Sequence, residues 1–276
     1  MKRLLCSWLL MLALPAFAEV TPRLSWTNNL LTVRDPRLPG GRLEIWYLEA
    51  FCRAGGHERK WSETTVPHRT ELVSTAPDGS ALRFRTRVEP AVEVLHEVRA
   101  GTDGLDLTFT LTNRGTNAWD VQWFQPACIR VAEFTGRGQA DYVSRSFVFT
   151  THGLTPLNQL HRTTNALYLG GQVFLPPGTK AEDANPRPLC TDRVANGLIG
   201  CFSGDGRWIL ATASSRTFEL FEGVYVCLHS DPRIDGLAPG QTKQIRQKLY
   251  LLPNDPADLL RRYRQDFPGF ELEYTP

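Results

Sequence analysis

The run ALRFRTRVEPAVEVLHEVRAGTDGLDLTFTLTN, residues 81–113, alternates apolar and polar side chains over most of its length. Leu82, Phe84 and Val88 share one parity, and arginines hold the other. A period of two is typical of β-strands that bury one face and expose the other. The run therefore predicts three consecutive strands, at residues 81–88, 92–99 and 105–113.

The turn at residues 89–91 sets a register for the first two of these strands. A hairpin about this turn places Val88 opposite Val92, and Arg83 opposite Glu97. Glutamates on the second strand then face the arginines of the first. This pairing favours a solvated, ion-paired face over a site for polyanions.

Working outward, the rest of the chain continues as strand after strand, with one helix at the end. Asp255 suits a helix N-cap, Pro256 a first turn, and Leu259, Leu260 and Tyr263 form an apolar stripe. More than ten strands with a single terminal helix exclude a doubly wound α/β fold. The pattern predicts an all-β fold, one large antiparallel β-sandwich over residues 19–276 with a short C-terminal helix. The further predicted strands are residues 43–51, 71–75, 119–123, 129–134, 147–150, 198–202, 208–213, 224–229 and 245–252.

The first eighteen residues have the pattern of a signal peptide. Lys2 and Arg3 precede an apolar run at residues 4–14, and Ala16-Phe17-Ala18 supplies a small-x-small cleavage site. The apolar run is too short to span a bilayer, and no second run of ~20 apolar residues follows it. We expect residues 1–18 to be removed and the mature protein to be secreted or periplasmic, without a membrane anchor.

Composition argues against several classes of partner. Lys and Arg number 31 against 29 Asp and Glu, so the net charge is +2, and the basic residues are scattered along the chain. No nucleic-acid partner is therefore expected. The chain also lacks a phosphate-binding glycine loop, a dinucleotide fingerprint and a Gly-x-Ser-x-Gly elbow, and no cofactor is expected.

The cysteines do not follow a recognisable ligand pattern. Of six, Cys6 falls in the leader, and the remaining five leave at least one thiol free. Cys190 and Cys201 flank a turn-like segment and form the best candidate for a disulfide. Cys128 and Cys227 lie in predicted strands, where a thiol usually packs as a small hydrophobic group. No C-x-x-C, H-x-H or H-E-x-x-H spacing is present, and we expect no metal site.

Two segments resemble the galactose mutarotase (aldose 1-epimerase) superfamily. They are LDLTFTLTNRGTNAWDVQWFQPACIRVAEF, residues 105–134, and VCLHSDPRIDGLAPGQTKQIRQKLY, residues 226–250. The resemblance implies a very large β-sandwich, a supersandwich. The family carries a glutamate general base after Cys-Leu, where this chain has His229. The family's Asn-His pair is absent near Val131, so the resemblance implies a sugar-related scaffold without ordinary mutarotation. The run at residues 46–52, WYLEAFC, is also similar to a group of secreted bacterial proteins.

Three residues are candidates for catalysis: His229, Asp231 and His68. A carboxylate beside a histidine can orient the imidazole and raise its basicity, which suits general base catalysis. The alternative is that His229 simply ends a strand before an Asp-Pro turn. His68 lies at the end of a long loop, residues 53–68, where exposed histidines are common.

The candidates for ligand binding are Trp123, Gln125, Trp61, His96 and His152. Tryptophan faces stack on pyranose rings, although most tryptophans on alternating strands belong to the core. Trp61 lies in the first long loop, and His152 directly precedes the second, residues 153–193. His96 falls on the apolar face of its strand, where it either lines a cavity or bonds within the core.

Three functions remain open. The first is a secreted protein that binds an oligo- or polysaccharide without mutarotase activity. The second is a carbohydrate-active enzyme on the same scaffold, an epimerase, lyase or glycoside hydrolase, which requires acid and base groups gathered in one cleft. The third is a cell-envelope module that binds protein through an apolar surface patch and has no pocket.

Overall fold

The computed structural model describes residues 21–269, so the predicted signal peptide lies outside the described residues. Within that range the chain forms strands β1 to β18 and four α-helices. The strands are β1 Arg23–Thr27, β2 Leu30–Arg34, β3 Arg42–Trp46, β4 Ala50–Arg53, β5 His68–Thr75, β6 Ala81–Val88, β7 Val92–Gly101, β8 Gly104–Asn113, β9 Val121–Gln125, β10 Cys128–Arg130, β11 Ser146–Thr150, β12 Gly153–Pro156, β13 Gln172–Phe174, β14 Val194–Phe202, β15 Trp208–Ser214, β16 Thr217–Gly223, β17 Cys227–Pro232 and β18 Thr242–Pro253. The helices are α1 Trp61–Thr64, α2 Ala132–Thr135, α3 Gln139–Arg145 and α4 Pro256–Asp266.

The strands form two large antiparallel sheets and one small one. The seven-stranded sheet has the order β1-β2-β3-β10-β17-β16-β13, and the nine-stranded sheet the order β12-β11-β14-β15-β18-β8-β7-β6-β5. Strands β4 and β9 form a separate two-stranded sheet. None of the helices within residues 21–269 combines the length and the hydrophobicity of a membrane-spanning helix.

A continuous apolar core lies between the two large sheets. Ile45 and Leu228 enter it from the seven-stranded sheet, and Phe109 and Leu251 from the nine-stranded sheet. Each such side chain contributes about 1.5–3 kcal/mol when it leaves water. The predicted all-β sandwich is confirmed, and so is its terminal helix.

The hairpin of β6 and β7 has the register that the turn predicts. Val88 pairs with Val92, Arg83 with Glu97, and Phe84 with His96. Arg83 Nε lies 3.0 Å from Glu97 Oε1, and both side chains are solvated. This face is therefore exposed to solvent. An exposed ion pair of this kind adds less than about 1 kcal/mol to stability.

Helix α4 begins as its sequence predicts. The Asp255 side chain accepts hydrogen bonds from the backbone amides of Ala257 and Asp258, both at 3.0 Å. Pro256 occupies the first turn. Leu259 and Tyr263 are buried against the outer face of the nine-stranded sheet, in a second apolar cluster that includes Tyr250.

Several predicted elements differ from those observed. The strand predicted at residues 43–51 is divided between β3 and β4, which belong to different sheets, and the strand predicted at residues 119–123 is shifted to β9. The second long loop, residues 153–193, contributes the edge strands β12 and β13.

Two other predicted strands differ in extent from those observed. The strand predicted at residues 129–134 leaves the sheet after Arg130, and Ala132–Thr135 forms one helical turn closed by Gly136 at φ 122°. The strand predicted at residues 224–229 begins only at Cys227, because residues 224–226 form the hairpin turn, with Val226 at φ 54°. Turn geometry overrides the apolar character of both segments.

The predicted disulfide between Cys190 and Cys201 is wrong. Both cysteines are free and buried, as are Cys52, Cys128 and Cys227. Cys201 lies in β14 and pairs with Ser146 and Leu210 on its two sides. Cys190 lies outside that sheet, in the second long loop, where its thiol donates to the His161 carbonyl at 3.5 Å. The turn-like spacing between the two cysteines therefore does not bring their sulfurs together.

Gly104 is required where β7 turns into β8. Its φ is +139°, and a Cβ there would lie 1.8 Å from the carbonyl oxygen of Leu249 on β18. We expect Gly104→Ala to lower the free energy of unfolding by about 2 kcal/mol or more, because the backbone of β18 must shift. Urea unfolding measures this loss.

Gly178 provides the matched control for Gly104. Its φ is +81°, but no atom lies within 4 Å of the position of an added Cβ. Gly178→Ala should therefore cost only the ~1 kcal/mol of an unfavourable backbone angle. Equal losses in the two variants would show that contact with β18 is unimportant.

Candidate functional site

Strand β17 carries the polar floor of the candidate site. All six of its residues are buried, and alternation turns the side chains of Cys227, His229 and Asp231 to the same face. The neighbouring strand β10 pairs Ile129 with Leu228. The same register, continued by one residue, places Cys128 opposite His229.

The two ring nitrogens of His229 face different groups. Nε2 lies 3.4 Å from the Cys227 sulfur, and Nδ1 lies 3.5 Å from Asp231 Oδ1. The other Asp231 oxygen accepts a hydrogen bond from Gln125 Nε2 at 2.9 Å. Since 3.5 Å is long for a hydrogen bond, His229 Nδ1 and Asp231 Oδ1 have no hydrogen-bond partner among the described residues.

Cys128, Cys227 and His229 form a compact cluster of metal-ligating atoms. Their two sulfurs and one ring nitrogen all lie within 4.8 Å of one another. The Cys227 thiol and burial raise the pKa of the Cys128 thiol well above its ordinary value.

Two further carboxyls, Glu49 and Glu219, lie close to His229 and Asp231. Burial raises the pKa of Glu49, and its Oε2 atom has no hydrogen-bond partner. Burial, followed by the charge of Asp231, raises the pKa of Glu219, whose Oε2 accepts from the Asn185 amide at 2.9 Å. Burial likewise raises the pKa of Asp231.

The pKa of His229 is raised as well, but for an imidazole a raised pKa favours the charged form. Burial opposes its charged form, but Cys128 and Asp231 outweigh burial, so the pKa of His229 lies above its ordinary value. A strongly perturbed histidine among perturbed carboxyls is typical of functional sites.

The two long loops meet above this floor. The backbone amide of Trp61 donates to the Tyr168 hydroxyl at 3.2 Å, and the Gly55 amide donates to Asp183 Oδ1 at 2.6 Å. The guanidinium of Arg187 lies over the Tyr168 ring at 5.5 Å. Each loop therefore helps to fix the other.

Loops and floor together line a partly open cavity of about 300 Å³. Its rim is aromatic and apolar: Tyr225 is 69% exposed and Val224 39%. Its remaining lining residues are Glu49, Trp61, Gln125, Cys128, Tyr168, Asn185, Pro186, Arg187, Phe221, Gly223, Cys227 and His229.

Four of the residues that the sequence singles out meet at this cavity. His229, Gln125 and Trp61 line it, and Asp231 lies behind His229. The strand-end interpretation of His229 does not hold, because β17 continues through Asp231 to Pro232.

The other four lie elsewhere or inside the core. Trp123 has no exposed surface, since its ring stacks on Phe218 and its Nε1 donates to the Asp183 carbonyl at 3.1 Å. It therefore cannot stack on a ligand and instead supports Trp61, whose ring centroid lies 6.2 Å away. His152 is exposed in the turn between β11 and β12.

The predicted roles of His96 in ligand binding and of His68 in catalysis also differ from what the structure shows. His96 is a core histidine, bonded by Nδ1 to the Tyr47 hydroxyl at 2.5 Å and by Nε2 to the Thr86 hydroxyl at 2.9 Å. Both of its ring nitrogens already have partners inside the protein, and it does not line the cavity above β17, so its predicted role in ligand binding is not supported. His68 lines a separate depression of about 450 Å³ together with the turn at residues 89–91, and its Nε2 lies 3.3 Å from the Leu48 carbonyl. It does not meet His229.

The sequence gives little indication of several lining residues. Glu49 stands out only as one of several unranked glutamates. Cys128 and Cys227 are 99 positions apart along the chain and meet only through the pairing of β10 with β17. The C-x-H pattern at residues 227–229 on one strand face is the one local signal of the cluster. The expectation of no metal site used spacing along the chain, which does not detect groups assembled across strands.

Glu222 and Glu133, two other glutamates of the chain, already have partners. Glu222 is buried and ion-paired with Arg162 from the second long loop. Glu133 pairs with Arg137 on the surface at 2.6 Å. Among the described residues, Glu49, Glu219 and Asp231 each have a buried carboxyl oxygen without a hydrogen-bond partner, and of these three only Glu49 lines the cavity.

No protein-family model matches the chain, and no curated protein matches it in sequence. Among solved structures, a galactose mutarotase-like protein from Lactobacillus casei is 13% identical and has a TM-score of 0.43; the match covers 83% of this chain and 99% of that one. A galactose mutarotase-like protein from Clostridium acetobutylicum is 8% identical with a TM-score of 0.45, covering 83% and 94% of the two chains. Both names match the superfamily that residues 105–134 and 226–250 resemble in sequence. Similarity at this level says nothing about what the chain binds.

Proposed function

We propose that this protein binds a small carbohydrate, of monosaccharide or disaccharide size, in the cavity above β17. The observation that carries the proposal is an unpaired buried acceptor, Glu49 Oε2, beneath an aromatic rim. A sugar hydroxyl would satisfy that oxygen, and Trp61 or Tyr225 offers a face to the apolar side of the ring.

The size of the cavity restricts the ligand. At about 300 Å³ it lies at the lower end of the range for small-molecule sites, roughly 300–1,000 Å³. A terminal residue or a free sugar fits such a volume better than the middle of a polysaccharide. A concave, partly open cavity of this size also favours the binding of a small ligand over a protein-interaction module.

Export and the absence of mutarotase activity belong to the same proposal. The leader pattern at residues 1–18 supports a secreted or periplasmic protein. His229, at the position of the family's glutamate base, supports a sugar-binding protein that does not catalyse mutarotation.

A panel of monosaccharides and disaccharides, screened against the purified protein by ligand-observed NMR, tests the proposal. We expect one sugar class to bind and Trp61→Ala to weaken binding at least tenfold, about 1.4 kcal/mol, because the stacking face is lost. The control is His152→Ala, which removes an exposed imidazole away from the cavity and should leave affinity unchanged. No binding by any sugar, or equal binding by Trp61→Ala, would contradict the proposal.

Catalysis on the bound sugar is a second candidate, favoured by Glu49 and His229 facing one cavity. In this scheme Glu49 accepts or returns a proton on a ligand hydroxyl. We expect Glu49→Gln to abolish turnover of the identified ligand by at least a hundredfold. Binding without turnover in the unmodified protein would reject catalysis and leave the binding function standing.

A further inference from the structure

We propose that Cys128, Cys227 and His229 bind one thiophilic divalent ion, Zn²⁺ in the first place, at the floor of the cavity. Two strands supply the ligands, β10 one and β17 two, so the site is built on a sheet rather than on loops. The inference does not depend on the identity of the sugar, because it concerns different atoms.

The spacing of the donor atoms suits a tetrahedral ion. Bonds of about 2.3 Å to sulfur and 2.0–2.1 Å to nitrogen place tetrahedral ligands roughly 3.5–3.8 Å apart. Cys227 Sγ and His229 Nε2 are 3.4 Å apart, and all three donors lie within 4.8 Å. Small rotations about χ1 and χ2 would close the cluster on an ion.

A disulfide is a poor alternative for the two thiols. Arg130 pairs with Cys227, so Cys128 and Cys227 are diagonal partners on adjacent strands. The Cα atoms of such partners lie roughly 7–8 Å apart, whereas disulfides usually span about 4.4–6.8 Å. Both thiols are free.

Charge balance favours a divalent ion here. All three ligands are buried. Two thiolates and a neutral imidazole bound to Zn²⁺ have no net charge, so burial of the complex costs far less than burial of an isolated ion. Sulfur ligands also select zinc-like ions over Mg²⁺ and Ca²⁺.

The surroundings of His229 match those of metal-binding histidines. Such a histidine commonly donates its second N–H to a carboxylate, which fixes the ring and raises its basicity. Nδ1 of His229 faces Asp231 Oδ1 at 3.5 Å, and neither atom has another partner. Gln125 holds the opposite Asp231 oxygen. Nε2 is thereby left directed at the sulfurs.

Three protein ligands leave a fourth position for water or for a ligand oxygen. All three line the same cavity as Glu49 and Gln125. An ion with an open position is the arrangement of catalytic rather than structural zinc sites. A bound sugar hydroxyl could therefore occupy the fourth position.

The test is metal binding by the purified, reduced and chelator-treated protein, without any sugar. Zn²⁺ is titrated against a chromophoric chelator, and Co²⁺ serves as the spectroscopic probe. We expect one ion per chain, and thiolate-to-cobalt charge-transfer absorption with the spectrum of a tetrahedral site. Cys128→Ser and Cys227→Ser should each weaken Zn²⁺ binding by more than a hundredfold. Gln125→Ala, which removes the hydrogen bond that holds Asp231, should weaken it by about 10–100-fold.

Cys190→Ser is the matched control, since that buried thiol lies in the second long loop and outside the cluster. It should bind Zn²⁺ like the unmodified protein. Bound Zn²⁺ should also protect Cys128 and Cys227 from an alkylating reagent. Peptide mass spectrometry measures this protection in the unmodified protein, so the measurement does not depend on the folding of a variant. Unchanged affinity in Cys128→Ser, absence of stoichiometric binding, or a Cys128–Cys227 disulfide in the purified protein would overturn the proposal. Because sugar binding is measured separately, failure of one proposal leaves the other testable.

Discussion

Acidification from pH 7 to pH 4 is expected to remove about 3 kcal/mol of stability through His96 alone. Burial lowers the pKa of His96 to about 3, from an ordinary value of 6.5. The ring lies between Phe84 and Phe109, with centroids 5.1 and 5.7 Å away, and the groups bonded to it are the hydroxyls of Tyr47 and Thr86. Within residues 21–269, no charged group compensates a proton on this imidazole.

The stability of the protein depends on pH here because the folded and unfolded states bind different numbers of protons at His96. Between pH 6.5 and pH 3 the unfolded chain binds a proton at His96 that the folded protein does not bind. Stability therefore rises with pH across this window and is fully present above pH 6.5. It falls as the pH decreases through the window and levels off near the folded pKa.

Comparison with His96→Gln isolates this contribution. Glutamine can donate to and accept from the two hydroxyls but carries no titrating proton in this range. Urea unfolding of both proteins between pH 4 and pH 8 should give curves that converge at acidic pH, with the unmodified protein the more stable at pH 7. The buried carboxyls near β17 titrate in both proteins and cancel in the difference. Parallel curves would refute the assignment.

Trp123→Ala is expected to lower the free energy of unfolding by about 3–5 kcal/mol, because it leaves a large cavity in the core. The indole is fully buried, lies parallel to Phe218 at 5.2 Å, and donates to the Asp183 carbonyl. Loss of that hydrogen bond also loosens the second loop beside Asn185, which lines the pocket. Sugar binding should therefore weaken in this variant for an indirect reason.

Thermal unfolding separates the loss of stability in Trp123→Ala from the loss of the stacking face in Trp61→Ala. Trp61 is only half-buried, so we expect Trp61→Ala to cost less than about 1 kcal/mol of stability while weakening sugar binding. Trp123→Phe keeps most of the ring contact and should recover more than half of the lost stability. If Trp123→Ala unfolded at the temperature of the unmodified protein, its place in the core would be wrong.

Alternation predicts the strands of this protein well where one face is buried and the other solvated. Residues 81–113 show this most clearly, and even the Phe84–His96 pair follows from a single turn. The pattern fails at residues 224–226, where apolar side chains occupy a turn and Tyr225 is 69% exposed. Local hydrophobicity cannot report that a hairpin must close there.

The site was only partly predictable because its residues are assembled by long-range pairing. His229 and Asp231 share parity on one strand, so a local pattern reveals them. Cys128 joins them only through β10, and Glu49 through the backbone bond of its amide to the Gln125 carbonyl at 2.8 Å. Whether a tryptophan faces a ligand or the core also depends on packing, which explains why Trp61 and Trp123 have different environments.

The division of the pocket between sheet and loops implies two rates of change during evolution. A one-residue slip of β17 would turn His229 and Cys227 away from the cavity, so the floor tolerates no insertion. The walls come from segments that join strands, where insertions disturb no ladder. Related chains should therefore keep one floor while their loops diverge, and under the proposed function a change of sugar preference would require replacement of loops alone.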